Sequence, residues 1–212
     1  MQRNSEKRSD FRMPTKIIQQ GAEAIISIKN NQITKDRIKK SYRIKIIDDK
    51  LRKQRTKSES KIINKLAKTI NVPKIIETEE NKIIMQHIKG KKLSEHLDSL
   101  KNQASICKQI GKQIAILHDN DIIHGDLTTS NIILANKNKK IYFIDFGLAF
   151  HSHRIEDKAV DLHLLRQALE AKHFKRWERL FKWVLQGYKS RDKPAVLNQL
   201  TIVESRGRYK KH

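Results

Sequence analysis

The sequence predicts an α+β fold in two lobes, a small β-rich lobe over about residues 16–86 and a helical lobe over 87–203, with a basic tail at 204–212. Three observations predict it. Short β-branched runs broken by turn residues occupy the first part of the chain, apolar residues recur at three- and four-residue intervals from Ile106 to Leu117, and helical patterns fill the sequence beyond Asp157. A length of 212 residues with 37% apolar content suffices for one domain with its own core.

The elements follow in order. Between Lys16 and Ile47 the runs Ile25–Ile28 and Ile44–Ile47, separated by Gly21 and by Asn30, Asn31 and Gln32, predict antiparallel strands with turns. From Leu51 to Ala67 the chain is rich in lysine and arginine, and Ile62, Ile63 and Leu66 share one helical face; Pro73 prevents continuation. Lys82–Met85 predicts a further strand, with Gly90 marking the turn after it, so this segment connects the lobes. Ile106, Ile110, Ile114 and Leu117 then form the core-facing stripe of a helix ending at His118. The apolar runs Asn131–Leu134 and Ile141–Ile144, joined by a polar loop, predict a hairpin that begins at Asn131 and delivers Asp145 at its end. Helices are expected near Asp157–Leu169, Phe174–Leu185 and Pro194–Val203. There is no internal repeat.

Composition restricts the function classes. The 46 Lys+Arg against 23 Asp+Glu give a formal charge of +23, a surface that attracts polyanions such as RNA through counterion release. A single cysteine, Cys107, excludes an intramolecular disulfide framework and a multi-cysteine zinc site and fits a reducing compartment. The opening residues carry no apolar export segment, and no stretch approaches the roughly 18 continuous apolar residues of a membrane span. The expectation is a soluble cytoplasmic protein that does not engage membranes.

The strongest chemical signal is HGDLTTSN (124–131) followed by IDFG (144–147). Phosphoryl transfer needs one carboxylate at the acceptor, and a carboxylate plus an amide oxygen on Mg²⁺; Asp126, Asn131 and Asp145 supply that ordered set. Asp126 is the candidate to orient or deprotonate the acceptor, with Asp145 and Asn131 as metal ligands. As turn caps the three residues are explained singly but not as an ordered set. His124 is read as packing within the catalytic loop, since the aspartate two residues later takes the role of base. An ATP site also needs a cation on the phosphates held by a carboxylate, for which Lys35 and Glu59 are the candidates and Lys45 the competing lysine. The segment QQGAEAIIS (19–27) has one glycine where a full phosphate-covering loop has three. Gly21 still allows the N–H groups of Ala22 and Glu23 to face phosphate. Gln86 and Ile88 would hold adenine by their main chain, and Met85 before them reads equally as core or as a selectivity residue.

These motifs, with GAEA (21–24), KDRIKKSYR (35–43), LRKQRTKSE (51–59), EDKAVDL (156–162) and RGR (206–208), resemble the small atypical kinase of the KEOPS complex, related to the p53-regulating kinase of eukaryotes. The resemblance implies a minimal bilobal protein-kinase-like fold and favours Lys35 over Lys45. It also implies a cytoplasmic serine/threonine protein kinase that uses ATP and Mg²⁺, phosphorylates itself and works mainly as an ATPase. Its biological work would be formation of N6-threonylcarbamoyladenosine at position 37 of tRNA. The implied partners are a threonylcarbamoyl transferase subunit, a small bridging subunit and tRNA, with Arg206 and Arg208 of the tail approaching the tRNA. Tyr209 departs from the family's all-basic ending.

Gly125 stands where kinases carry the arginine of H-R-D, no A-P-E follows D-F-G, and Asp145 and Asp161 lie only 16 positions apart (161 − 145). Activation by loop phosphorylation and a platform for peptide substrates are therefore not expected; Asp161 reads as a buried brace for the catalytic loop. The alternative function is a small-molecule phosphotransferase of the aminoglycoside or choline kinase type, which shares H-G-D but usually needs a larger C-terminal lobe for its acceptor. A catalytically silent RNA-binding pseudokinase is opposed by the intact Asp126, Asn131 and Asp145.

Overall fold

The computed structural model describes residues 15–137 and 139–208, with the side chains of residues 207 and 208 outside the description. Five strands, β1 (Lys16–Gln20), β2 (Ala24–Lys29), β3 (Gln32–Arg37), β4 (Ile75–Thr78) and β5 (Lys82–Gln86), form an antiparallel sheet in the order β1-β2-β3-β5-β4. β2 and β3 are joined by a two-residue turn, Asn30-Asn31, with φ of 48° and 62°. Both positions need φ > 0, which asparagine tolerates better than most residues, and this turn type matches the twist of the strands it joins. The alternation of β3 then puts Ile33, Lys35 and Arg37 on one face of the sheet, and both cations are buried there.

Helix α1 (Lys45–Leu66) begins six residues before the helix expected from sequence and absorbs the Ile44–Ile47 run, which is not a strand. Two physical features explain the correction. No glycine or proline interrupts 45–66, so a long run of good helix formers propagates backwards from Leu51. The first turn is also pinned by the fully buried Asp48, whose carboxylate accepts from Arg52 Nε at 2.7 Å and from the Lys40 N–H at 3.4 Å. Ile44, Ile46 and Ile47 remain exposed and pair with no strand.

The helical part contains α2 (Leu93–His96), α3 (Gln103–Asp119), α4 (Ile155–Lys172), α5 (Trp177–Gly187) and α6 (Lys193–Arg208). Five short strands lie among them: β6 (Gly90–Lys92), β7 (Ile122–Ile123), β8 (Ile132–Ala135), β9 (Ile141–Phe143) and β10 (Phe150–His151). Sequence patterning does not reveal β3, which begins at Gln32 where a turn is expected, nor β4, β6, β7 and β10, each of these four having four residues or fewer. Gly90 is the first residue of β6 and not a free turn; a Cβ there would lie 2.4 Å from Leu134 O across the β6–β8 pairing. Ile106, Ile110, Ile114 and Leu117 bury the stripe of α3 as expected, in one core cluster with Leu162, Leu165, Leu180 and Val184. α3 and α5 cross in close contact at Gly111 and Gly187, where an added methyl on either would strike the other helix's main chain within 2.1 Å. Cys107 lies in this core, where burial pushes its thiol up to about 12, and packs as a small apolar group. α6 continues five residues past the expected helix, so Arg206 lies on a helix instead of an extended tail; its guanidinium pairs with Glu156 at 2.7 Å. The Arg208 side chain and Tyr209 lie outside the described residues. No described helix is long and apolar enough to cross a membrane.

Candidate active site

The sheet and the helical part meet at a cleft, and each chemical group reaches it from a different element. Lys35 comes from β3, where its Nζ donates to Glu59 Oε1 of α1 at 2.7 Å and to Asp145 Oδ1 at 2.7 Å. Lys45, the competing lysine, is exposed and pairs with Asp49 one turn away. Arg37, two residues after Lys35 on the same face, donates from Nη2 to Glu59 Oε2 at 2.5 Å. Glu59 is therefore a buried carboxylate shared by two buried cations, which fixes the Lys35 head group relative to α1. Sequence reasoning gave Arg37 no role: it stands in the KDRIKKSYR motif, but only β3 pairing shows that it points inward to Glu59.

Asp126 lies in the loop between β7 and a single 3-10 turn at Thr129–Asn131. Asn131 Nδ2 donates to Asp126 O and to Asp126 Oδ2, both at 2.9 Å. The amide therefore orients the carboxylate, and its own oxygen is the atom left for a metal. Asp145 follows β9 with φ of 61°, a left-handed conformation that turns the chain at Phe146-Gly147. About half of its side-chain surface is exposed (49%). Partial burial pushes its carboxyl up, but Lys35 and the Gly147 N–H outweigh this and hold it below the ordinary carboxylate value. Asp145 is thus ionised at neutral pH, as a metal ligand must be. Asp145 and Asn131 offer hard oxygen donors, a carboxylate and an amide, which suit Mg²⁺ completed by phosphate oxygens and water. Among the described residues no group of three or more His, Cys, Asp or Glu gathers into a denser metal site.

The catalytic loop is braced from beneath. Asp161 of α4 is fully buried; its Oδ2 accepts the His124 N–H at 2.8 Å and its Oδ1 the Gly125 N–H at 2.9 Å. His118 Nε2 lies 3.3 Å from the same carboxylate, and His118 Nδ1 lies 2.8 Å from the buried Tyr188 hydroxyl. His124 is buried, with Nε2 3.2 Å from Ile144 O and its ring 4.8 Å from that of Phe146. It holds the loop to the segment after β9 that leads into Asp145. Gly125 adopts φ of 76°, and a Cβ there would lie 2.4 Å from Leu148 O. The glycine in place of arginine is thus a backbone requirement of this loop as well as the loss of a charge.

Two adjoining cavities complete the cleft. The larger, about 340 Å³, has apolar walls including Ile18, Ile26, Ile33, Met85, Ile133 and Ile144, with Gln86 and Ile88 at its edge. The Gln86 N–H already donates to Lys74 O at 2.9 Å, so the main-chain group that Gln86 can offer a base is its carbonyl. The smaller, about 250 Å³, shares Lys35 and Asp145 with the first and extends between Gly21–Glu23 and Asp126. Gly21 N–H closes the turn at Ala24 O, 3.0 Å, which holds Ala22 and Glu23 over this second cavity. The cleft thus joins an apolar slot for a planar ring to a polar end carrying cations and carboxylates, a shape and charge pattern suited to a nucleoside triphosphate.

A family model described as RIO domain matches residues 3–166. The KEOPS complex subunit Bud32 of Pyrococcus abyssi is 42% identical over 214 residues, covering 92% of this chain and 96% of that protein. A probable bifunctional tRNA threonylcarbamoyladenosine biosynthesis protein of Methanobrevibacter smithii is 38% identical over 211 residues; these cover 95% of this chain but 38% of that longer protein. Among solved structures, the Rio2 kinase from Chaetomium thermophilum, in an ADP/Mg²⁺-phosphoaspartate complex, superposes with a TM-score of 0.64 at 14% identity. That match covers 94% of this chain and 73% of the other and establishes the likeness of fold.

Proposed function

The chain belongs to the RIO-domain family, and from that membership we propose that it is the Mg²⁺-ATP-dependent serine/threonine kinase and ATPase subunit of a KEOPS assembly, supporting threonylcarbamoyladenosine formation in tRNA. The observation that carries the reading is the convergence of Asp126, Asn131, Asp145 and the Lys35–Glu59 pair on one cleft, in a chain that aligns almost end to end with a KEOPS subunit.

The geometry supports a stepwise account. Adenine enters the apolar cavity and meets the Gln86 carbonyl and the Ile88 N–H. Lys35, held by Glu59, turns its ammonium from Asp145 to the α and β phosphates. Asp145 and Asn131 would hold Mg²⁺, which would supply positive charge to the phosphate oxygens. Asp126, oriented by Asn131, accepts a hydrogen bond from the acceptor O–H and takes its proton as the new O–P bond forms. The bond between the γ phosphorus and its bridging oxygen breaks, and ADP leaves. The chain from Phe146 to the start of α4 at Ile155 is short and tied down by the β7–β10 pairing, with Leu148 and Phe150 exposed. It offers no extended bed for a peptide, so water and the protein's own hydroxyls are the acceptors. The partners on this reading are a threonylcarbamoyl transferase subunit, a small bridging subunit and tRNA, whose phosphates the +23 chain attracts. The cytoplasm follows as the compartment.

Reconstitution tests the proposal. The protein is added to a purified transferase subunit and tRNA, and modified adenosine is measured by mass spectrometry with wild type and with Asp126→Asn. Stimulation by wild type and its loss in the variant, in proportion to lost ADP release, is the expected result. Equal stimulation by both proteins would separate the modification from the cleft.

A further inference from the structure

Glu23 and Arg55 form an ion pair at the mouth of the polar cavity that the phosphotransfer scheme does not use. Arg55 lies on α1 one turn before Glu59, so the two side chains share a helix face, and Glu59 is the residue that reaches Lys35. Arg55 Nη1 donates to Glu23 Oε2 at 2.9 Å, while Lys40 Nζ contacts Ala22 O and lies 3.7 Å from Glu23 Oε1. Glu23 therefore ties its turn to two cations. The cavity beneath is lined by the cations Lys35, Arg37 and Arg55 and by the carboxylates Asp126 and Asp145.

The two cavities share Lys35 and Asp145, so a nucleotide seated in the apolar one passes its β phosphate by Lys35 and directs its γ phosphate beyond, between Glu23, Arg55 and Asp126. A γ phosphate beside Glu23 meets a like charge, and Arg55 is the adjacent cation that can neutralise it. The Glu23–Arg55 pair is half-exposed, with side-chain exposures of 51% and 40%, and such pairs are weak. A dianionic phosphate with oxygens placed for a guanidinium fork is the stronger partner.

Resting on the nucleotide reading above, we propose that Arg55 is a γ-phosphate-binding residue and that Glu23 is its stand-in partner in the nucleotide-free protein. Arrival of ATP transfers Arg55 from the carboxylate to the phosphate and leaves Lys40 as the remaining cation on the Gly21–Glu23 turn. ADP, lacking the γ group, leaves the pair intact. The exchange makes the site discriminate triphosphate from diphosphate.

The test is calorimetric titration of the full chain with Mg²⁺ plus a non-hydrolysable ATP analogue, and separately with ADP, for wild type, Arg55→Gln, Glu23→Gln and the double variant. Arg55→Gln is expected to weaken the analogue about tenfold with ADP changed by less than about twofold, the loss of one charge-assisted contact. Glu23→Gln is expected to tighten the analogue about threefold or more by removing the competitor, and only while Arg55 is present. Equal weakening of analogue and ADP by Arg55→Gln, an unchanged analogue affinity, or tightening by Glu23→Gln that persists without Arg55 overturns the exchange. A wild type that binds neither nucleotide overturns the functional reading itself, a distinguishable outcome.

Discussion

Asp145→Asn is expected to lower Mg²⁺-dependent ATP turnover by about a thousandfold or more, the scale on which loss of phosphate-charge stabilisation acts. The substitution keeps side-chain volume while removing the charge that pairs with the Lys35 ammonium at 2.7 Å and, on the proposed reading, would hold the metal. Lys35 retains Glu59, so the buried cation is not orphaned and the fold should persist. Because Asp145 is half-exposed, its pair with Lys35 contributes little to stability, and thermal unfolding should shift by only a few degrees. ADP release followed with a coupled assay, beside a melting curve, checks both halves. Full turnover in the variant would remove Asp145 from the metal site.

Asp161→Ala should act in the opposite way, first on the fold and through it on activity. Its carboxylate accepts two consecutive main-chain N–H groups and faces His118, all buried. Deleting it leaves those donors unsatisfied in the interior, at roughly 1–3 kcal/mol each, so a total loss of about 3–5 kcal/mol is expected. For a chain of this size that lowers the melting temperature by roughly 10 °C or more. Asp161→Asn keeps one acceptor and should fall between wild type and alanine. Denaturant unfolding of the three proteins, followed by far-ultraviolet circular dichroism, measures the series. An alanine variant as stable as wild type would show that the loop does not depend on this brace.

The difference between these two aspartates shows what was legible beforehand. Asp126, Asn131 and Asp145 announce themselves because their types and order have one chemical use, so a sequence reader needs no coordinates to group them. Asp161 is recognisable by its distance from Asp145, and Lys35 and Glu59 by the motifs around them. Arg37 and Arg55 stand in the same two motifs, KDRIKKSYR and LRKQRTKSE, but the motifs assign neither of them a role. Both lie in a stretch dense with lysine and arginine, and the alternation of β3 and the helical turn between positions 55 and 59 are what distinguish their placement from that of solvated surface charge. The Ile44–Ile47 run failed for a related reason. β-branched residues favour a strand only when a neighbour strand is there to pair, and at this point the chain is already committed to α1 with Asp48 pinning its first turn. Tyr188, whose hydroxyl reaches His118 behind the catalytic loop, lies 64 positions after His124 (188 − 124), beyond anything local patterning can join.

The fate of the γ phosphate distinguishes hydrolysis and self-phosphorylation from transfer to a small alcohol. Protein incubated with Mg²⁺ and γ-labelled ATP, with and without an aminoglycoside or choline, should send the label to inorganic phosphate and in smaller part to its own serine or threonine residues. Asp126→Asn should suppress both together. Label carried to the small alcohol would make the protein a small-molecule phosphotransferase, and a wild type that leaves ATP intact would show that the cleft is not an ATPase site.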